Sequence, residues 1–512
     1  MTAPQREESL AFVIHGNPVA DGYIAELDSG SFIRLSPRMG EYLLGDRGAT
    51  DEMLSVAERI GVKPEGRVEE LSPDLGPRLR VISLAKIQYD LVRSADNPEW
   101  FRRLSRLFDP RVVFPVALGL FIAGLCSFAF RDNPWESLQT PVSYVFFVLL
   151  IPGIFLTTFI HEFAHALTLR RYGRGPRRAG IMLFLLAPAG FCDVSPVWLL
   201  PRRERVAVCA AGVICHLGLG GAALLVALIM DGAARQVFDL YGLLVVLTGL
   251  INLIPFVKFD GYLVLISILD KPFLHQSSTT LATQGLARAI VTGESLPDAQ
   301  SSKFLFGVAS LITPPLIIAV AVVRFFGIFA ALGIVGGILL ALLLLLVAVM
   351  VWNALARTYA IMVHYRATVI QKTIFVVCVV MAVVGLLMVP VPRTGSGMFR
   401  SDVENNETAT VAFRPSIKEH GLPETVNLEN RGILRQTVAT GSVDPSSVRD
   451  CSVARLDYTF FYISGFDATE DAVCAELSTL SAPVGVDDGL LSYHRDDVPL
   501  WRFLVDSVLG RN

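Results

Sequence analysis

Charge is scarce in this chain: 18% of its 512 residues are charged and 53% are hydrophobic, with a mean hydropathy of +0.53. Globular domains average about 25% charged residues, so the shortfall speaks for several membrane spans rather than one fully solvated body. Other absences narrow the reading. The N-terminal region, up to about residue 100, holds no apolar run of the length a signal peptide needs, and no cleavable leader is expected. The cysteines contain no Cys-x-x-Cys pair, which removes a thiolate zinc site from consideration. The spans carry no internal repeat of the kind common in transporters, and no segment reads as a PDZ domain. The N-terminal region is not basic and has no array of base-stacking aromatics, so no nucleic-acid partner is expected.

What is present is a set of apolar stretches. Seven of them, at about 112–130, 143–168, 204–230, 237–257, 306–323, 327–351 and 374–391, approach the ~20 residues that cross a hydrocarbon core. The piece at 259–269 is apolar but short, and reads as a helix extension or re-entrant segment; 306–351 could instead form one bent unit. The fold class expected is a polytopic α-helical membrane protein of about seven spans, with a lipid bilayer as its surroundings. Arg102, Arg103, Arg106 and Arg111 precede the first span. Arg170, Arg171, Arg174, Arg177 and Arg178 follow the second, Arg202, Arg203 and Arg205 precede the third, and Arg357, Arg366 and Lys372 lie between the last two. All fall on one side if the N-terminus is cytoplasmic, which leaves the C-terminal segment outside.

Inside the second apolar stretch stands His161-Glu162-Phe163-Ala164-His165, an H-E-x-x-H motif. On a helix, residues i and i+4 share a face, so both imidazoles can point at one metal ion, and the glutamate beside the first is placed as a general base. The pattern is short and recurs by chance in soluble proteins. Within a hydrophobic span chance loses weight, because ionisable residues there are costly. His161 lies nine residues before Arg170, roughly 13 Å along the helix from its charged end. Two histidines leave a catalytic zinc one protein ligand short. Asp260, acidic, next to the membrane and followed by Gly261, is the best candidate for the third. Asn252 and Pro255 precede it as N-x-x-P, and the proline breaks a helix where only a protein-lined cavity tolerates the freed backbone.

His161-Glu162-x-x-His165 followed by Asn252-x-x-Pro255-x-x-x-Phe259-Asp260-Gly261 resembles the site-2 proteases, the zinc intramembrane metalloproteases. The family's Leu-Asp-Gly motif has Phe259 in place of its leucine here. The resemblance implies that His161, His165 and Asp260 are zinc ligands, that Glu162 is catalytic, and that Asn252 hydrogen-bonds the substrate backbone. The family's Gly-Pro…Asn element corresponds to Gly212-Val213-Ile214-Cys215-His216, without the proline and asparagine, so no family role is carried there; His216 can be read as an extra ligand, but an interhelical hydrogen bond is the favoured reading. The stretch from about 155 to 262 also resembles a bacterial subgroup of peptide zinc metalloproteases, through Arg170-Arg171-x-Gly173, Phe191-Cys192-Asp193-Val194-Ser195 and Arg202-Arg203-x-Arg205. Asp193, in a non-helical connection, could approach the site, but a turn-forming role is the favoured reading. A bacterial cytoplasmic membrane is the location this implies.

Residues 1–107 read as a small cytoplasmic α+β domain, 108–393 as the membrane core and 394–512 as a β-rich extracytoplasmic domain. In the first, Tyr23–Leu27 and Ser31–Leu35 alternate like two strands around Asp28-Ser29-Gly30. Ser36-Pro37 then starts a helix, and a second follows Thr50. This order resembles the PqqD-like winged helix that recognises leader peptides of ribosomally made natural products, which implies a peptide adding to the sheet edge. In the last, the run Ala454–Tyr462 is strand-like and Val498–Val505 reads as an amphipathic helix. Cys451 and Cys474 are the cysteines clear of the spans, on an oxidising side, and are expected to pair. Cys126, Cys192, Cys209, Cys215 and Cys378 fall in or beside spans and read as packing residues.

The expected function is a zinc-dependent intramembrane endopeptidase. Its substrate is a peptide precursor whose leader is removed, or alternatively a membrane-bound regulator such as an anti-sigma factor. A metal-binding transporter or sensor is the reading outside enzymology; it would leave Glu162 without a task. A His/His/carboxylate set with no redox need favours zinc.

Overall fold

The computed structural model describes residues 12–16, 22–27, 32–46, 48–60, 62, 67–68, 77–83, 86–94, 96, 98–184, 187–292, 301–331, 333–401, 408–415, 417–432, 435–454, 461–462, 469–481 and 486–508. In chain order they form β1 (Phe12–Gly16), β2 (Tyr23–Leu27), β3 (Phe32–Leu35), α1 (Pro37–Leu44), α2 (Asp51–Ile60), β4 (Leu79–Ser83), β5 (Lys86–Arg93), α3 (Glu99–Leu107) and α4 (Pro110–Ala129). Next come α5 (Glu136–Gln139), β6 (Val142–Ser143), α6 (Tyr144–Arg171), β7 (Arg178–Phe184), β8 (Ala187–Asp193), α7 (Arg202–Val226), α8 (Gly232–Asn252), α9 (Asp260–Leu269) and α10 (Leu274–Thr292). The chain continues with α11 (Ser301–Ala331), α12 (Gly333–His364), α13 (Val369–Leu387), β9 (Pro390–Ser401), β10 (Ala409–Phe413), α14 (Ile417–His420), β11 (Thr425–Glu429), β12 (Thr437–Val443), β13 (Arg449–Ala454), β14 (Phe461–Tyr462), β15 (Thr469–Leu480), β16 (Asp488–Pro499) and α15 (Leu500–Val508).

Six stretches among the described residues are helical, long and apolar enough to cross a membrane: Pro110–Ala129, Val148–Arg171, Arg202–Ile229, Gly232–Asn252, Ser302–Ala321 and Ile338–His364. The expected seventh span, 374–391, differs. Its helix α13 ends at Leu387, its described apolar part is shorter than the others, and Pro390 already begins strand β9. The span expected at 327–351 is displaced as well, since α12 runs on to His364. Strong helix formers such as Ala354, Leu355 and Ala356 carry the helix past the end of the apolar run. The short apolar piece at 259–269 is the separate helix α9.

Contacts divide the chain into two units. The first comprises Met1–Phe130, Leu149–Met230 and Tyr241–Pro272. It opens with the antiparallel sheet β1-β2-β3. Strand β1, which alternation did not announce, precedes the two expected strands; Asp28–Ser31 lie outside the described residues. Ser36 caps α1 by accepting a hydrogen bond from the Met39 amide, with Pro37 in the first turn, and Thr50 does the same for the Met53 amide at α2. Phe12, Ala25, Leu27, Leu35, Met39, Leu43, Ala57 and Val62 form the core between sheet and helices.

A second antiparallel sheet, in the order β4-β5-β7-β8, joins the N-terminal chain to the hairpin that follows α6. Val92 and Ala179 from this sheet pack with Phe101 of α3 and with Phe163, Ala166 and Leu167 of α6. The opposite stripe of α6 faces the long helices. At its end, Arg171 pairs with Asp109 (3.1 Å), whose carboxylate also caps α4 at the Arg111 amide. The arginine-rich end of α6 and the N-terminal end of α4 therefore lie at one level. Tyr241 of α8 donates to the Gly153 carbonyl of α6 (2.8 Å).

The second unit comprises Arg131–Val148, Asp231–Leu240 and Phe273–Asn512. Its buried polar anchor is Asp239, which accepts two hydrogen bonds from Arg131 (2.8 Å each) and one from Ser137 (2.7 Å). The C-terminal part is a closed six-stranded antiparallel barrel in the order β10-β9-β16-β11-β12-β15, with β15 pairing back to β10. Strand β13 continues the line of β12 along the same edge of β15, after a short turn at Pro445–Ser447. Inward residues such as Phe399, Val411, Phe413, Val426, Leu428, Val473 and Leu491 fill the interior. Cys451 and Cys474 are bonded, with Cα atoms 5.9 Å apart. The run Ala454–Tyr462 is described only at its ends, 455–460 lying outside the described residues. The terminal helix starts at Leu500, because Val498 and Pro499 still pair with Val391 and Pro390 in the barrel.

Candidate metal centre

Helix α6 carries His161 and His165 one turn apart, and both are buried. Phe159 and Phe163 pack with the sheet core on the far face, which fixes the helix about its axis and commits the histidines inward. Asp260 arrives from α9, where it is the first residue, next to the capping Phe259. A carboxylate in the first turn suits the positive end of the helix dipole. The seven residues between Asn252 and Asp260 form turns, and Gly261 lets them fold back. A Cβ there would stand 2.1 Å from the Leu253 carbonyl oxygen.

The three predicted ligands come together. One ligand atom from each of His161, His165 and Asp260 lies within 4.8 Å of the others, the one such cluster among the described residues. His161 Nε2 is 2.8 Å and His165 Nε2 3.4 Å from the same oxygen, Asp260 Oδ2, and the two Nε2 atoms are 3.3 Å apart. A tetrahedron with zinc bonds of about 2.05 Å has edges of roughly 3.3 Å. Two of the separations match that edge and the third is shorter.

The donor set also passes a chemical test. Asp260 Oδ2 is buried and has no aligned hydrogen-bond donor. His165 Nδ1 lies 2.7 Å from the Val208 carbonyl oxygen. A carbonyl only accepts, so Nδ1 carries the proton, and Nε2 of a neutral ring is left as a lone pair. Lone pairs of a nitrogen and a carboxylate oxygen facing each other in a buried site call for a cation between them. The residues present fit a divalent metal.

Helix α7 closes the other side. Gly212 stands against both rings: a Cβ on it would lie 2.4 Å from His165 Nε2 and 2.5 Å from His161 Nε2. One turn further on, buried His216 meets His161, Nδ1 to Nδ1, at 3.0 Å. This is the interhelical hydrogen bond read from the sequence, and His216 is not part of the ligand cluster.

Glu162, half-buried, lies against strand β8, where a Cβ on Gly190 would stand 3.2 Å from its Cγ. Asp193 forms a turn, accepting from the amide (3.0 Å) and hydroxyl (2.5 Å) of Ser195. Asn252 is the last residue of α8 and is half-buried. Sequence reasoning gave Gly212 no role, because the proline and asparagine that would mark its element are absent. Compared with known proteins, the chain matches no family model, no curated protein and no solved structure.

Proposed function

We propose that this chain is a zinc-dependent intramembrane endopeptidase, a site-2-protease-like enzyme of the bacterial cytoplasmic membrane. The observation that carries the reading is the convergence of His161 Nε2, His165 Nε2 and Asp260 Oδ2, with the remaining nitrogen of each ring committed elsewhere. His161, His165 and Asp260 would hold the ion. Bound zinc supplies Lewis acidity, which acidifies the attacking water and polarises the scissile carbonyl. Glu162 takes the proton of that water on its carboxylate and hands it to the departing amine nitrogen. Asn252, at the end of α8, is the side chain we assign to the substrate backbone. The substrate must offer a non-helical stretch, since helical hydrogen bonding shields the bond.

The arginines beside α4, α6 and α7 favour a cytoplasmic N-terminus, a metal site nearer the cytoplasm and an extracytoplasmic barrel. The strand and helix order of the N-terminal domain favours a peptide precursor, cut to remove its leader, as the substrate. A membrane-bound regulator is the alternative.

The test is co-expression of wild type and Glu162→Gln with short peptides encoded near the gene, read by mass spectrometry, alongside the zinc content of both proteins. Trimming by wild type alone, with zinc retained in Glu162→Gln, is the expected result. Zinc bound without trimming of any neighbouring peptide shifts the substrate to a membrane regulator. Normal zinc in Asp260→Ala would sink the ligand assignment.

A further inference from the structure

His216 is costly where it stands. It is 3% exposed, in a helix long and apolar enough to span a membrane, and an ionisable ring at that depth is seldom kept without a task. Its ring lies 4.4 Å from that of His161, tilted by 37°, with the two Nδ1 atoms 3.0 Å apart. Two nitrogens at that distance share one proton: one donates and the other accepts. Nε2 of His161 faces Asp260 and His165, so a neutral His161 serving as a ligand must carry its proton on Nδ1. His216 Nδ1 is then the acceptor, and the proton of His216 resides on its own Nε2.

The same helix does the equivalent for the second ligand. The Val208 carbonyl accepts from His165 Nδ1, and Val208, Gly212 and His216 follow one another at i, i+4 and i+8 along one face of α7. The helix thus presents an acceptor to each ligand histidine and bare backbone between them. One acceptor is main chain and indifferent to side-chain substitution. The other is a side chain, and can be removed.

We propose that His216 is a positioning residue for the metal: by accepting the Nδ1 proton of His161 it sets that ring's tautomer and rotation and so presents Nε2 to the ion. This inference rests on the metal-site reading given above. Partners of this kind commonly change metal affinity about 10- to 100-fold.

The experiment is zinc and cobalt affinity of the full chain purified in detergent, by competition with a chromophoric chelator, with the cobalt visible spectrum as a second readout. His216→Phe keeps the ring and removes the acceptor. His216→Asn keeps an acceptor oxygen near the place of Nδ1, and His216→Gln carries it one bond too far. We expect His216→Phe and His216→Gln to lose about ten- to a hundredfold in affinity, with an altered cobalt spectrum, and His216→Asn to stay within a few-fold of wild type. Wild-type affinity in His216→Phe overturns the proposal. So does a loss in His216→Asn equal to that in His216→Gln, which would mean packing alone; the Asn/Gln comparison decides even if His216→Phe fails to fold. His161→Ala separates the two readings: if it binds zinc as wild type does, the metal site itself is wrong, whereas its failure beside a normal His216→Phe removes only the positioning role.

Discussion

Arg34 grips Asp270 through both arms of its guanidinium, Nη1 to Oδ2 at 2.9 Å and Nη2 to Oδ1 at 2.5 Å. Asp270 is the left-handed C-cap of α9, and the same Oδ1 accepts from fully buried Arg205 of α7 at 2.6 Å. The Trp198 ring lies under both cations, 5.9 Å from Arg34 and 4.8 Å from Arg205. One carboxylate therefore ties a strand of the N-terminal sheet to the helix whose first residue is Asp260.

Removing that carboxylate leaves Arg205 buried beside a like charge. Asp270→Asn is predicted to destabilise the protein by about 2 kcal/mol, below the ~3–5 of a fully buried pair because Asp270 is partly solvated. Arg34→Gln, at a half-buried position, is predicted to cost about 1 kcal/mol. Thermal unfolding in detergent checks both. A variant Asp270→Asn as stable as wild type would show that Trp198 and the helix end suffice to hold Arg205.

The same contact predicts a pH dependence. Burial alone would raise the Asp270 carboxyl, but the hydrogen bonds from Arg34 and Arg205 outweigh it and hold it below its usual value. A depressed carboxylate contributes stability that is full above its unfolded value of about 3.9 and is lost as pH falls through the folded value. The stability gap between wild type and Asp270→Asn is therefore expected to be constant near neutrality and to close below about pH 4. A gap that widens in acid contradicts this sign.

Gly212→Ala is predicted to cost metal rather than fold. Alanine is the better helix former, yet its Cβ would stand at 2.4 and 2.5 Å from the ligand nitrogens, and at least one imidazole must rotate away. Zinc content of the purified variant should fall at least about tenfold, while helix content by circular dichroism is unchanged. Full zinc occupancy in Gly212→Ala would mean that the rings yield more freely than this packing allows.

The Cys451–Cys474 bond closes a loop with a sequence separation of 23, which the chain-entropy account values at about 3 kcal/mol. Both thiols should resist a maleimide reagent until the barrel is reduced, and reduction should lower its melting temperature. Labelling of both cysteines without reductant would count against the bond.

Much of the candidate metal site was legible because it is local or chemically conspicuous. The i, i+4 histidines sit within one turn, and Asp260 is an acid set in apolar sequence. His216 was conspicuous for the same reason, but its partner depends on how α7 is rotated against α6, which no local pattern encodes. Arg34, Arg205 and Asp270 were invisible as a group: the first and last are 236 residues apart, and Arg205 was legible only as one of the arginines ahead of α7. Helix starts at Ser36 and Thr50 were readable from their capping side chains. The barrel was readable only as β-rich, since its closure rests on the pairing of β10 with β15, far apart in the chain. The hairpin of β7 and β8 lacks alternation, and its apolar run Ile181–Phe184 offers no period to tell strand from helix.

One side of the His161–His165–Asp260 cluster is main chain: the Val208 carbonyl and the bare Cα of Gly212. Main chain has no rotamers and cannot be exchanged residue by residue. Along this wall, mutation can disrupt the cluster but has little means of reshaping it. Variation around these residues would have to accumulate elsewhere, on β8 or the turns ahead of Asp260, while the stretch of α7 from Val208 to Gly212 stays as a fixed template.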